Sequence, residues 1–94
     1  MTEILSEDQA DQRLSPGWTR NGAVISREVE LASFSQAIEV VDRVAVLAEA
    51  ADHHPDIDIR WRTLTFRLST HSAGGLTAKD FSLADEIDSV LGAL

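Results

Sequence analysis

The period of the apolar positions changes along the chain, and each change marks an element. Ser6 and Gln9 stand at capping-box spacing and predict a short helix over residues 7–14. Ser15-Pro16-Gly17 breaks it. Trp18-Thr19-Arg20 then reads as a short strand, and Asn21-Gly22 as a hairpin turn, since both residues tolerate positive φ. Beyond the turn, Ile25, Val29 and Leu31 fall on one side of a strand, with Ser26, Glu28 and Glu30 on the other. Arg27 interrupts the apolar side, which puts the strand near a sheet edge or sends the arginine head out to solvent.

Ser33 and Gln36 open a helix from Phe34 to Ala51, with Phe34, Ile38, Val41, Ala45 and Ala48 as its apolar stripe, widened by Val44 and Leu47. Pro55 ends the helix at or before His54, because a residue preceding proline avoids the α region. Period two then returns with Ile57, Ile59 and Trp61 at odd positions and Leu64, Phe66 and Leu68 at even ones. One continuous strand cannot change faces, so a tight hairpin near Trp61-Arg62-Thr63 is expected, with a bulge as the alternative. Residues 71–76 form a loop with a glycine pair. Thr77 and Asp80 cap a last helix to about Leu91, with Phe81, Ala84, Ile87 and Leu91 facing the core and Gly92 as its stop.

The order α-β-β-α-β-β-α predicts an α+β fold: a four-stranded antiparallel sheet with three helices on one face, leaving the other face open. At 94 residues and 10.3 kDa the chain makes one domain, 1–94, in which residues 1–16 are an N-terminal arm with a short helix. The 8 Lys+Arg against 16 Asp+Glu give a net charge of −8, which argues against direct binding to nucleic acid or to an anionic membrane. No apolar run is long enough to span a bilayer, and the acidic start is unlike a signal peptide. The absence of cysteine removes disulfides and thiolate chemistry and permits a reducing cytoplasm as the compartment.

All three histidines lie between positions 53 and 71. His53 and His54 close the long helix and His71 follows the last strand, so an antiparallel sheet can bring them to one edge. Histidine donates and accepts protons near neutral pH. Glu49, four residues before His53, shares a helix face with it if the helix persists that far, and can fix the imidazole tautomer. Asp80 follows His71 across the glycine loop and has a capping role of its own, while Trp61 offers a flat apolar surface. Metal ligation by the histidines is disfavoured, because adjacent residues do not point the same way and no zinc spacing is present. Nucleophile-elbow and phosphate-loop motifs are absent too.

This constellation, Glu49-x3-His53-His54-Pro55, five residues to Trp61, nine to His71 and eight to Asp80, resembles the pterin-4a-carbinolamine dehydratase family, as does the passage Leu68–Thr77. The resemblance spans about residues 18–91. It implies the same sheet-and-three-helix fold, a pterin substrate, and loss of water from 4a-hydroxytetrahydropterin to give quinonoid dihydropterin, without metal or organic cofactor. His53, His54 and His71 are then the acid–base groups, with Glu49, Pro55, Trp61 and Asp80 as binding or orienting residues. It also implies a homodimer or homotetramer and a functional link to an aromatic amino-acid hydroxylase. Two positions depart from the family: Ile57 stands where an aromatic is frequent, and Trp61 where tyrosine is. The alternative is a non-catalytic protein-binding or assembly module on the same fold.

Overall fold

The computed structural model describes residues 3–94, so the first two residues of the arm lie outside the described residues. The chain runs α1 (Glu7–Arg13), β1 (Thr19–Asn21), β2 (Val24–Glu30), α2 (Phe34–Ala51), β3 (Asp56–Arg60), β4 (Thr63–Leu68) and α3 (Ala78–Gly92). The four strands form one antiparallel sheet in the order β1-β2-β4-β3, with β2 and β4 in the middle.

Alternation sets the two faces. Ile25 on β2 lies opposite Leu68 on β4, while Phe66 on β4 lies opposite Ile57 on β3, and with Leu64 these side chains fill the core beneath the helices. Thr19, Ser26, Arg67 and Asp56 form one cross-strand row of the opposite face, and Glu28, Thr65 and Asp58 form the next. The open face is therefore polar and needs no cover. Arg27 is explained differently from the two alternatives read in the sequence. Its strand is internal, and its Nη1 donates to Asp88 Oδ1 of α3 at 2.7 Å, beside the Trp18 Nε1 donation to the same oxygen at 2.8 Å.

Both hairpins turn on two residues. In the first, Asn21 pairs with Val24, so the turn is Gly22-Ala23, one residue later than Asn21-Gly22. Gly22 alone takes positive φ (62°), as a II′ turn requires at its first central position. In the second, Arg60 pairs with Thr63 and the turn is Trp61-Arg62. With no glycine there, Trp61 itself carries the positive φ of 52°.

The buried side of α2 is rotated from the expected stripe: Val44 and Ala48 are buried as expected and Val41 and Leu47 pack half-buried beside them, but the stripe's edges shift. Ala37, Val40, Val44 and Ala48 face the core, whereas Phe34 is 51% exposed and Ala45 is on the surface. The helix has two apolar stripes, and the one with small residues lies inward, where alanines allow close packing. Gly92 ends α3 as its last helical residue rather than as a left-handed cap, since Ala93 caps with φ −91°.

Candidate active site

The end of α2 aims the first two histidines. Asp52 adopts the left-handed conformation (φ 49°, ψ 44°), which aspartate tolerates better than most residues. The Asp52 amide donates to Glu49 O at 3.2 Å and the His53 amide to Ala48 O at 3.1 Å. This is a Schellman closure, and it reverses the chain direction at the helix end. His53 is swung inward and His54 outward. Glu49 therefore pairs with His54, not with His53 on a continued helix face, and this pair lies at the surface.

The inward histidine finds a carboxylate from the other end of the chain. His53 Nε2 lies 2.6 Å from Asp80 Oδ1, and both residues are buried. Asp80 serves α3 at the same time. Its Oδ2 accepts from the Thr77 amide at 2.9 Å, closing the capping box, and from Thr70 Oγ1 at 2.8 Å. Thr70 and Thr77 hydroxyls lie 2.8 Å apart. Capping and histidine orientation, which the sequence set as competing roles for Asp80, are performed by its two oxygens separately.

Thr70 ends the strand passage and forms a bridge with Gly75, across which the loop bearing His71 is folded. Its carbonyl accepts from Ala73 and Gly74 amides, each at 3.0 Å. His71 is exposed on this loop, one residue from the buried network. The arm braces the same loop: the Leu5 amide donates to Leu76 O at 2.8 Å, and Ile4 lies against Gly75 so closely that a Cβ there would meet its Cγ2 at 3.0 Å.

His53 and Asp80 are thus in contact, while His54 and His71 are each one residue from a member of the network, on the side where β3 begins and β4 ends. Pro55 sits between His54 and β3 and keeps the entry to the strand extended. Trp61 is not brought to this group within the chain. It tops the β3–β4 turn, at the opposite end of a five-residue strand, about 16 Å away at strand rise, and is 71% exposed with the Arg62 guanidinium 4.7 Å over its ring. A recess of ≈ 200 Å³ adjoins His53, lined also by Ala51, Ala78, Lys79, Ser82, Leu83 and Glu86. Among the described residues, no group of three or more His, Asp or Glu side chains is placed to hold a metal ion, and no helix is long and apolar enough to cross a membrane. Three contributors were missed in the sequence: Asp52 as the left-handed turn residue, and the hydroxyls of Thr70 and Thr77. The Thr77 capping spacing was the one available signal for them.

The sequence model of the pterin 4 alpha carbinolamine dehydratase family matches residues 3–90. The chain belongs to this family. A relative from Nocardia farcinica with a provisional pterin-4-alpha-carbinolamine dehydratase name is 62% identical over 89 residues, covering 93% of this chain and 94% of the relative. A second, from Roseiflexus castenholzii and named likewise, is 54% identical over 93 residues, covering 97% and 100%. Among solved structures, a transcriptional coactivator/pterin dehydratase from Brucella melitensis superposes with a TM-score of 0.90 at 27% identity, covering 94% of this chain and 98% of that one. A pterin dehydratase-like protein described as a RuBisCO assembly factor in the alpha-carboxysome has a TM-score of 0.66 at 18% identity, over 80% and 87%, and shares the fold.

Proposed function

We propose that the chain removes water from 4a-hydroxytetrahydropterin. The observation that carries this reading is the gathering of His53, His54 and His71 at one end of the sheet, with one imidazole held by a buried carboxylate, in a chain of this family. An imidazolium donates a proton to the departing 4a-hydroxyl, which leaves as water. A neutral imidazole takes the proton from the adjacent ring nitrogen as the C=N bond forms, giving quinonoid dihydropterin. The exposed His54 and His71 are the groups a substrate can reach. His53, held through one nitrogen by Asp80, has Nδ1 for contact with the pterin. Glu49 orients His54, and the reaction calls for neither metal nor organic cofactor. The aromatic face of Trp61 joins a pterin site only if another copy supplies it, which fits a homodimer or homotetramer; the exposed Phe34 and Val46 of α2 are available to such contacts. Supply of the carbinolamine by an aromatic amino-acid hydroxylase in the cytoplasm completes the reading.

All three histidines and both carboxylates of the motif are present, which favours the enzyme over a non-catalytic assembly module. The test is stopped-flow decay of a 4a-carbinolamine signal with the purified chain against buffer. Acceleration is expected, and equal decay rates would overturn the reading. His54→Ala and His71→Ala should each lower turnover by about tenfold or more with little change in thermal unfolding, since both side chains are exposed. The double variant should fall less than the product of the two if they act as a unit.

A further inference from the structure

The hydrogen-bond directions around Asp80 can be worked out completely, and they single out Thr70. As a carboxylate, Asp80 only accepts. Its Oδ2 takes the Thr77 amide and the hydroxyl proton of Thr70. Thr70 has one hydroxyl proton, so in the 2.8 Å contact between the two threonines Thr77 Oγ1 is the donor and Thr70 Oγ1 the acceptor. Thr77 Oγ1 in turn accepts from the Lys79 amide at 3.3 Å. Asp80 Oδ1 is left for His53, which must offer Nε2–H. Every proton in the chain has one place, and Thr70, Thr77 and Asp80 are all nearly free of solvent, at 3%, 0% and 0% exposure.

We propose that Thr70 is a positioning residue that sets His53 and His71 relative to one another. Through its hydroxyl it holds the Asp80 carboxylate in the plane that accepts from His53 Nε2, so neutral His53 keeps its proton there and presents Nδ1 as the open acceptor. Through its backbone it anchors the loop that bears His71, by the bridge to Gly75 and the two amides that converge on its carbonyl. Removing the hydroxyl frees one side of Asp80 Oδ2 and strands a buried Thr77 hydroxyl proton with no acceptor. The pair then loses the constraint on both tautomer and ring direction. This proposal rests on the dehydratase reading for its effect on rate but not for its effect on the imidazole.

The experiment compares the full-length chain with Thr70→Val and Thr70→Ser, by long-range ¹H–¹⁵N spectra of the histidine rings and by carbinolamine turnover. In the unsubstituted chain, neutral His53 should show one tautomer, protonated at Nε2. Thr70→Val should give mixed tautomers and lower kcat by about tenfold to a hundredfold, the scale of a small misplacement of a reacting group. KM should change by less than kcat, because the hydroxyl acts through His53 and His71 and does not itself touch the substrate. Thr70→Ser, which keeps the hydroxyl, should restore the single tautomer and most of kcat. Thr77→Val, which removes the donor to Thr70, is the second variant should Thr70→Val not fold, and should shift the tautomer in the same direction. A His53 ring that populates both tautomers in the unsubstituted chain overturns the proposal. So does Thr70→Val with a single Nε2–H tautomer and undiminished kcat. Absence of turnover by the unsubstituted chain sinks the dehydratase reading alone, and the tautomer comparison still decides for or against Thr70.

Discussion

Two imidazole–carboxylate pairs stand side by side at the end of α2, alike in chemistry and opposite in surroundings. In His53–Asp80 the side chains are 10% and 0% exposed; in His54–Glu49 they are 57% and 76% exposed. The first joins positions 27 apart, and the second positions five apart. Water screens the exposed pair, so it adds little to stability but leaves its imidazole free to meet a ligand. The buried pair has given up solvent for a closed set of donors, so its loss would leave those donors unmatched. Burial therefore ties one imidazole–carboxylate pair into the fold and leaves the other open to solvent, and the left-handed turn at Asp52 is what separates them.

The largest effect expected from this contrast is at Asp80. Asp80→Ala removes the acceptor of His53, Thr70 and the Thr77 amide together and uncaps α3. Breaking a buried pair of this kind costs about 3–5 kcal/mol, a large part of the stability of a small domain. Urea unfolding followed by circular dichroism should show a midpoint far below that of the unsubstituted chain. A loss below about 1 kcal/mol would put the buried pair on the level of a surface pair and dissolve the contrast.

Much of this arrangement was legible in the sequence because it is local. The caps at Ser6, Ser33 and Thr77, the reversal at Trp61-Arg62 and the element order all follow from spacing, and the fold matches them. The pairing at the site was not legible for two physical reasons. Assigning Glu49 to His53 extended the helix in a straight line, whereas one left-handed residue redirects everything after it. The His53–Asp80 contact joins a helix end to a helix start through the sheet, and no periodicity encodes a contact at that separation. The inward side of α2 was ambiguous for a third reason: with apolar residues on two stripes, only the space available against the core selects the alanine-bearing one. The open sheet face is polar because the alternation in β3 and β4 sends their isoleucines, leucines and Phe66 to the helix side.

Glu49 sharpens the comparison from its exposed side. Glu49→Gln keeps size and removes charge, and should change stability by no more than about 0.5 kcal/mol. Its effect should appear in turnover instead, through His54. Raising salt to 1 M shrinks the Debye length to about 3 Å, so the difference in turnover between Glu49→Gln and the unsubstituted chain should narrow. A destabilisation comparable to that of Asp80→Ala would mean that exposure does not govern what these pairs do.

The smallest effect belongs to a third carboxylate, which separates geometry from burial. Asp11 of α1 accepts from Arg20 Nε at 2.5 Å and from Nη2 at 3.0 Å, a two-point clasp, although Asp11 is exposed. The hydrogen bond from Arg20 is the main reason that the Asp11 carboxyl is held below the usual carboxylate range, with the guanidinium charge adding to it and desolvation opposing it. A carboxyl more acidic in the folded state than in the unfolded one lends stability above its unfolded pKa. It loses that contribution as pH falls through the folded one. At neutral pH, Asp11→Asn should therefore be slightly less stable than the unsubstituted chain. The gap should narrow as the pH falls below the ordinary carboxylate range and close once the carboxyl of the folded, unsubstituted chain takes up its own proton. The place to read so small a change is the Leu5 amide, whose bond to Leu76 O ties the arm to the loop bearing His71. Its hydrogen exchange should quicken in Asp11→Asn at neutral pH and match the unsubstituted chain in acid. A gap that persists unchanged to pH 3 would show that shape, not charge, holds the arm, and that a two-point clasp at the surface gains nothing over the single contact between Glu49 and His54.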